Sequence, residues 1–153
     1  MEFNQQLIFL FSALGAINGF ALSSYFLLIK SEKQLSDYFL GGLLLMLSIR
    51  IIKSVFRHFN PDLFEAFIEI GIGACSLIGP FLLLYVWSST RKGNQFQRYW
   101  WALLLPFILT MIVVSYRFSY YDDRAVWSVI IQSIYRQWLL CILIAGYSLR
   151  SVF

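Results

Sequence analysis

The sequence is poor in charged residues. Only 13% of its 153 residues are Asp, Glu, Lys or Arg, whereas a soluble globular domain carries about 25%. A chain with so little charge cannot cover its own surface with solvated groups, and it is too apolar to be disordered. The shortage argues against soluble nucleotide-binding folds and against soluble enzymes built on a β-sheet.

Residues that bind metals or perform catalysis are also scarce. The chain has one histidine, His58, and two cysteines, Cys75 and Cys141, each inside an apolar run and without CxxC spacing. This pattern predicts that the cysteines are small buried side chains. No HExxH, GxSxG or Walker phosphate-binding motif occurs, and Asp122 and Asp123 are adjacent, which is a poor geometry for paired catalysis. We therefore expect no enzyme activity, no metal and no cofactor.

Apolar sequence is abundant. Hydrophobic residues make up 59% of the chain, and the mean hydropathy is +0.71. A membrane-spanning helix needs ~20 mostly apolar residues, and no segment alternates with the period of two that a β-barrel requires. Glu2 stands where a signal peptide would be basic, so the first span is expected to be permanent. The sequence predicts an all-α, polytopic integral membrane bundle in the lipid bilayer, one domain over 1–153, with five transmembrane helices at about 7–29, 38–56, 64–87, 99–116 and 126–149.

The distribution of basic residues predicts the orientation of these helices. More of them lie in the loops on one side, namely Lys30, Lys33, Arg91, Lys92, Arg98 and Arg150, than on the other, namely Arg57, Arg117 and Arg124. The positive-inside rule then places the N-terminus outside and the C-terminus in the cytoplasm. The net charge of +4 is explained by this topology and by attraction to anionic lipid. We expect no direct contact of this chain with nucleic acid.

Small residues form a stripe along the first span. Ser12, Gly15, Gly19 and Ser23 are spaced by three, four and four residues, so they share one helix face. The GxxxG pair lets two backbones approach closely. We favour packing against a helix of the same chain, because GxxxG is common in spans, but a homodimer through this face is the alternative. Asn18, beside the stripe, is expected to bond to a neighbouring helix.

Charged residues face each other across the second and third spans. Arg50, Lys53 and Arg57 share one face of the second span, and Glu65 and Glu69 share one face of the third. The antiparallel hairpin places Lys53 at the depth of Glu69 and Arg57 at that of Glu65. An unpaired charge in hydrocarbon costs at least ~2.5 kcal/mol. The pairs predict either a structural clamp or the polar wall of a cavity open to the outside.

Arg136 lies near the middle of the fifth span, where snorkelling is difficult. It is expected to face the bundle interior, with Glu69 or a ligand anion as its partner. Gln132 shares its helix face at i, i+4. The hypothesis that follows is a pocket for an unidentified small ligand in the outer half of the bundle, formed by Arg50, Lys53, Glu69, Gln132 and Arg136.

The third span contains the pair Gly79-Pro80. Proline removes a helical hydrogen bond and clashes with the preceding turn, so a kink is expected. The kink is either a packing device or a hinge through which an outer pocket moves the inner helix ends. Pro106 in the fourth span raises the same question.

Three stretches resemble the membrane-embedded sensor region of AraC-type (AraC/XylS) transcriptional regulators. Residues 14–54, from LGAINGFALSS to SDYFLGGLLLMLSIRIIKS, are similar to the family's first two helices, with a basic loop between them. IGPFLLLYVWS, at 78–88, is similar to the "GP-x-x-x-x-YV" third helix, with Gly79, Pro80, Tyr85 and Val86 in register. YWWALLLPFIL, at 99–109, resembles the "H-x-x-P" fourth helix, although Trp and Ala replace the polar residues before Pro106.

The resemblance implies a multi-pass sensor of the bacterial inner membrane. Family members carry about seven spans and then a cytoplasmic helix-turn-helix domain, whereas this chain has five spans and no helix-turn-helix pair. It is expected to be a fragment or a stand-alone sensor, which couples an outward-facing pocket to a cytoplasmic output absent from this chain. The alternatives are a small transporter or channel subunit that works as an oligomer, although no internal repeat supports it, and a purely structural membrane partner.

Overall fold

The chain folds into five α-helices. The structure, a computed structural model, describes residues 3–31, 34–59, 65–90, 100–118 and 124–150, and contains no β-strand within them. Each helix is long and apolar enough to cross a membrane, so the predicted all-helical chain with five such helices is confirmed. The helices are α1 (Phe3–Ser24), α2 (Leu35–Phe59), α3 (Glu65–Thr90), α4 (Trp100–Arg117) and α5 (Arg124–Arg150), and a π-helical segment (Tyr25–Ile29) continues α1.

A carboxylate fixes the start of α2. The Asp37 side chain accepts a hydrogen bond of 2.9 Å from the backbone N–H of Gln34, which is half of a capping box. The same Oδ2 atom pairs with the Lys30 ammonium at 2.7 Å. Asp37 therefore ties the end of the π-helical segment to the first turn of α2, where the helix dipole also favours an acid.

The third helix is the centre of the bundle. It packs against α2, α4 and α5, while α1 packs against α2. In an apolar stretch of 18 residues of this helix 56% of the residues are buried, against 6% in α4, as expected for a helix that is apolar on every side. Its Ile68 and Ile72 form a buried cluster with Trp127 and Ile134 of α5. The orientation of α5 is thus set by the face that contacts α3.

Small residues join α1 to α2. Gly19 packs so closely that a Cβ atom there would collide with the Ser48 hydroxyl. The Ser23 hydroxyl is buried and donates a hydrogen bond of 2.8 Å to the Gly41 carbonyl. Gly15, by contrast, is exposed and would have no atom within 4 Å of its Cβ. Packing within the chain therefore uses the C-terminal half of the stripe, Gly19 and Ser23.

The N-terminal half of the stripe, Ser12 and Gly15, contributes less to the contact with α2. Ser12 is half-buried, and Asn18 is exposed and makes no hydrogen bond to another residue that the structure describes. Asn18 follows the buried Ala16 by two residues, or about 200° around the helix axis. The side chain of Asn18 therefore lies on the side of α1 opposite α2. The predicted bond is not made to α2, and a bond to a helix of a second copy stays a prediction.

Candidate ligand-binding cavity

A cavity lies between α2, α3 and α5. Its volume is about 160 Å³, enough for a few water molecules or a small ligand group. Two cations and two aromatic rings open onto it among aliphatic side chains; its lining comprises Arg50, Lys53, Ser54, Ile72, Cys75, Ile131, Ile134, Tyr135 and Trp138. Apolar walls with a few convergent polar groups are the usual lining of a ligand site.

Arg50 stacks on an aromatic ring across the cavity. Its guanidinium carbon lies 4.7 Å from the centroid of the Trp138 ring, a cation–π geometry. The Tyr135 ring meets Trp138 edge to face, with centroids 5.7 Å apart. The Trp138 ring, which Tyr135 supports from the side, thus holds the guanidinium of α2 in place without neutralising its charge.

Lys53 reaches the cavity along a glycine of α3. A Cβ atom at Gly71 would lie 2.8 Å from the Lys53 Cβ and would overlap the rest of its aliphatic stem. Only a glycine leaves room for this stem. Because Arg50 and Lys53 are three residues apart, one helix face brings both cations to the same cavity.

The turn of α3 that precedes Pro80 receives two hydrogen bonds from α5. Pro80 has no N–H group, so the carbonyl of Ser76, four residues earlier, loses its helical donor. The Gln137 side chain donates a hydrogen bond of 3.1 Å to this Ser76 oxygen. The Trp138 indole N–H donates to the carbonyl of Cys75 at 2.8 Å. A neighbouring helix thus satisfies the backbone group that proline frees, as is required in a membrane.

Gly79 brings α5 close to the same turn. A Cβ atom there would lie 3.2 Å from Cδ1 of Trp138 and 3.3 Å from Sγ of Cys141. Gly79 and Pro80, the residues predicted to form a hinge, are both buried. Trp138 therefore lines the cavity, bonds to α3 before the proline and contacts Gly79, so that one side chain connects the cavity with the predicted hinge.

Of the five residues predicted to form a ligand pocket, only Arg50 and Lys53 line this cavity. Glu69 is half-buried on α3, outside the lining, while Gln132 and Arg136 are exposed on α5.

The prediction that Arg136 faces the bundle interior is wrong. Ile134, two residues earlier, is buried against α3, and two residues turn a helix by about 200°. The predicted pairing of Arg57 with Glu65 lies outside the described residues, because the Glu65 side chain is not among them.

Three residues at the site, Tyr135, Gln137 and Trp138, were not among those predicted to form it. A signal for two of them exists: Pro80 frees a carbonyl in mid-span, and Gln137-Trp138 is a pair of adjacent donors in the middle of another span. Cys141 is buried, as predicted, but Cys75 is half-buried on the cavity wall, and both are free thiols.

No group of three or more His, Cys, Asp or Glu side chains with the geometry of a metal site occurs within the described ranges. No protein-family model, curated protein sequence or solved structure matches the chain. Its function therefore has to be inferred from the chemistry of the cavity.

Proposed function

We propose that this chain is a membrane-embedded sensory module that binds a small anionic ligand in the cavity between α2, α3 and α5. The observation that carries the proposal is the position of two cations, Arg50 and Lys53, on a cavity wall that also contains Trp138. The same Trp138 bonds to α3 just before Pro80. Binding at the cations can therefore alter the central helix.

The charge of the cavity favours an anion. Arg50 and Lys53 lie in a region of low dielectric, where their mutual repulsion is poorly screened and an anionic group would relieve it. The planar guanidinium of Arg50 is suited to a carboxylate or a phosphate, which it can bind through two hydrogen bonds. Ile72, Ile131 and Ile134 of the lining would accommodate an apolar body attached to that group.

The mechanism is a competition for Arg50. A ligand carboxylate or phosphate that pairs with the guanidinium draws it away from the Trp138 ring. A shift of Trp138 then weakens its hydrogen bond to the Cys75 carbonyl and changes the packing around Gly79 and Pro80. The ligand selects one of two packings of α3 only if it binds that packing more tightly.

The proposal includes the predicted topology. With the N-terminus outside and the C-terminus in the cytoplasm of a bacterial cell, Arg50 and Lys53 lie in the outer half of the membrane and Gly79-Pro80 lies nearer the inner half. The inner end of α3 then carries the signal to a cytoplasmic output. This arrangement suits the sensor region of an AraC-type regulator, the family that the Gly79, Pro80, Tyr85 and Val86 pattern resembles.

Ligand binding to the reconstituted chain tests the proposal. The chain in nanodiscs of neutral lipid is titrated with short-chain and medium-chain carboxylates and with alkyl phosphates, with calorimetry as the measurement. We expect saturable binding of at least one class, weakened about tenfold or more in Arg50→Gln and Lys53→Gln, since each removes a charge-assisted hydrogen bond. Arg117→Gln, at the exposed end of α4, is the control and should bind normally. Equal binding by Arg50→Gln and the unaltered chain contradicts the proposal.

A transport assay separates the sensor from the transporter alternative. Liposomes that contain the chain are loaded with the anion that binds best, and efflux is followed over time. With a sensor, the anion binds to the chain but stays inside the liposomes. With a transporter or channel subunit, the anion leaves the liposomes, and Arg50→Gln abolishes this efflux. Such efflux would replace the sensory function with transport.

A further inference from the structure

The fifth helix carries a second stripe on the side away from α3. The residues that α5 buries are Trp127, Ile134, Cys141, Ala145 and Ser148. On the opposite side, five exposed residues alternate at spacings of four and three, which we call the outer seam: Val129, Ser133, Arg136, Leu140 and Leu143. This spacing is the heptad pattern by which two helices pack side by side, in membranes as in coiled coils.

The charge in this seam lies near the middle of α5. Arg136 is about 18 Å along the helix axis from Arg124 and about 21 Å from Arg150, at a rise of 1.5 Å per residue. These two arginines mark the ends of α5. From the middle of the helix the guanidinium cannot extend to the phosphate groups at either surface. An arginine at such a depth requires a protein partner or water.

We propose that the outer seam binds a partner transmembrane helix with an Asp or Glu side chain at mid-membrane depth, which pairs with Arg136. Charge complementarity carries the proposal, because a carboxylate accepts two parallel hydrogen bonds from a guanidinium. The Ser133 hydroxyl accepts a hydrogen bond of 3.3 Å from Nη2 of Arg136 and holds the guanidinium along the seam. A single polar residue in an apolar seam selects the register and the partner.

A second copy of the chain does not supply this carboxylate. A symmetric contact between two α5 helices would bring one Arg136 against the other, and like charges in such a contact repel. Among the acidic side chains that the structure describes, Asp37 is already paired with Lys30 near the start of α2, and Glu69 is half-buried on α3. The other six acidic residues flank the apolar runs of the sequence, so we assign the partner helix to a different polypeptide. The proposal does not depend on the ligand cavity.

Designed single-span helices provide the test. The labelled chain is reconstituted in neutral phosphatidylcholine liposomes with leucine-rich peptides that carry Glu, Gln or Leu at the centre, and association is measured by fluorescence energy transfer. We expect the Glu peptide to bind about tenfold more tightly than the Leu peptide, as one or two hydrogen bonds within a membrane allow. Arg136→Leu and Arg136→Gln should each abolish this preference. Arg150→Leu, which alters the end of the same helix, should retain it.

Three results would overturn the proposal. The first is equal binding of the Glu and Leu peptides. The second is a preference for the Glu peptide over the Leu peptide that persists in Arg136→Gln, which keeps a polar side chain but removes the charge. Circular dichroism checks that this variant keeps its helix content. The third is self-association of differently labelled copies of the chain that depends on Arg136 and displaces the Glu peptide, since a second copy would then occupy the seam. Loss of the ligand binding described above would leave the result of this experiment unchanged.

Discussion

The guanidinium carbon of Arg50 lies over the Trp138 ring across the cavity, 4.7 Å from the ring centroid. The two residues lie on different helices, so their contact depends on the relative position of α2 and α5. The third helix packs against both of these helices and holds them at this separation. The contact thus links the two outer walls of the cavity.

Substitution of Trp138 separates its two roles. Trp138→Phe keeps a ring beneath Arg50 but loses the hydrogen bond to the Cys75 carbonyl, and we expect a loss of about 1 kcal/mol in the free energy of unfolding. Trp138→Leu loses the cation–π contact as well and should be less stable by roughly another 1 kcal/mol. Unfolding in mixed micelles, followed by circular dichroism, measures both. Trp101→Phe, at an exposed position of α4, is the control; a larger effect there would contradict the assignment.

Gln137 and Pro80 are expected to be energetically coupled. Gln137→Leu leaves the Ser76 carbonyl without its donor and should destabilise the chain by about 1–3 kcal/mol. Pro80→Ala restores an N–H group to α3, so Gln137→Leu should have a much smaller effect in that background. A double-mutant cycle of unfolding free energies gives this coupling. Gln132→Leu, at an exposed position, should not destabilise the chain. Additive effects of Gln137→Leu and Pro80→Ala would show that the carbonyl does not need the glutamine.

The glycine beside Lys53 offers a steric test of the cavity. Gly71→Ala places a methyl group against the Lys53 stem, and we expect a loss of roughly 1–3 kcal/mol in stability from overpacking, together with weaker anion binding. Gly71→Ala/Lys53→Ala removes most of the stem but keeps the Lys53 Cβ atom, 2.8 Å from the added methyl group, so it should regain part of the stability and none of the binding. Gly146→Ala has open space around its Cβ and should be neutral or slightly stabilising. Chemical unfolding measures stability and calorimetric titration measures binding. Equal stability and equal binding of Gly71→Ala and Gly146→Ala would contradict the close packing of Lys53 against Gly71.

The two glycines of the GxxxG pair are expected to respond differently. Gly19→Ile would drive a side chain into Ser48 of α2 and should destabilise the hairpin of α1 and α2 by about 1–3 kcal/mol. Gly15→Ile adds a side chain in open space and should leave the unfolding free energy of the monomer unchanged. Energy transfer between labelled copies then tests the homodimer through this helix: a loss of association in Gly15→Ile would assign the dimer contact to Gly15.

The five helices could be predicted because each is a long apolar run between polar loops, and length and hydropathy are sufficient for that. The spacing of Arg50 and Lys53 also placed them on one face of α2, and both line the cavity. The orientation of α5 could not be predicted in this way. In a soluble protein the apolar face points inward, but in a membrane lipid and protein are both apolar, so hydropathy does not distinguish the α3-facing side from the outer seam.

Arg136 illustrates the resulting error. Because a charge avoids lipid, Arg136 was expected inside the bundle of its own chain, whereas the buried face of α5 carries Trp127, Ile134 and Cys141. Contacts between distant helices are only partly visible in the sequence. The carbonyl that Pro80 frees and the donors Gln137 and Trp138 can be recognised, but the bond from Gln137 to Ser76 also depends on α5 packing against α3, and no local pattern specifies that neighbour.

The hydrogen bond from Gln137 to Ser76 also sets an order of events during synthesis. Its two residues are 61 positions apart, which a ribosome covers in about 3–12 s at 5–20 residues per second. For that interval the carbonyl that Pro80 frees has to be hydrated or shielded by the insertion machinery, since its permanent donor has not yet been made. The third helix is translated well before the fifth but reaches its final shape only when the fifth packs against it, so a helix made later completes the core that the earlier one forms.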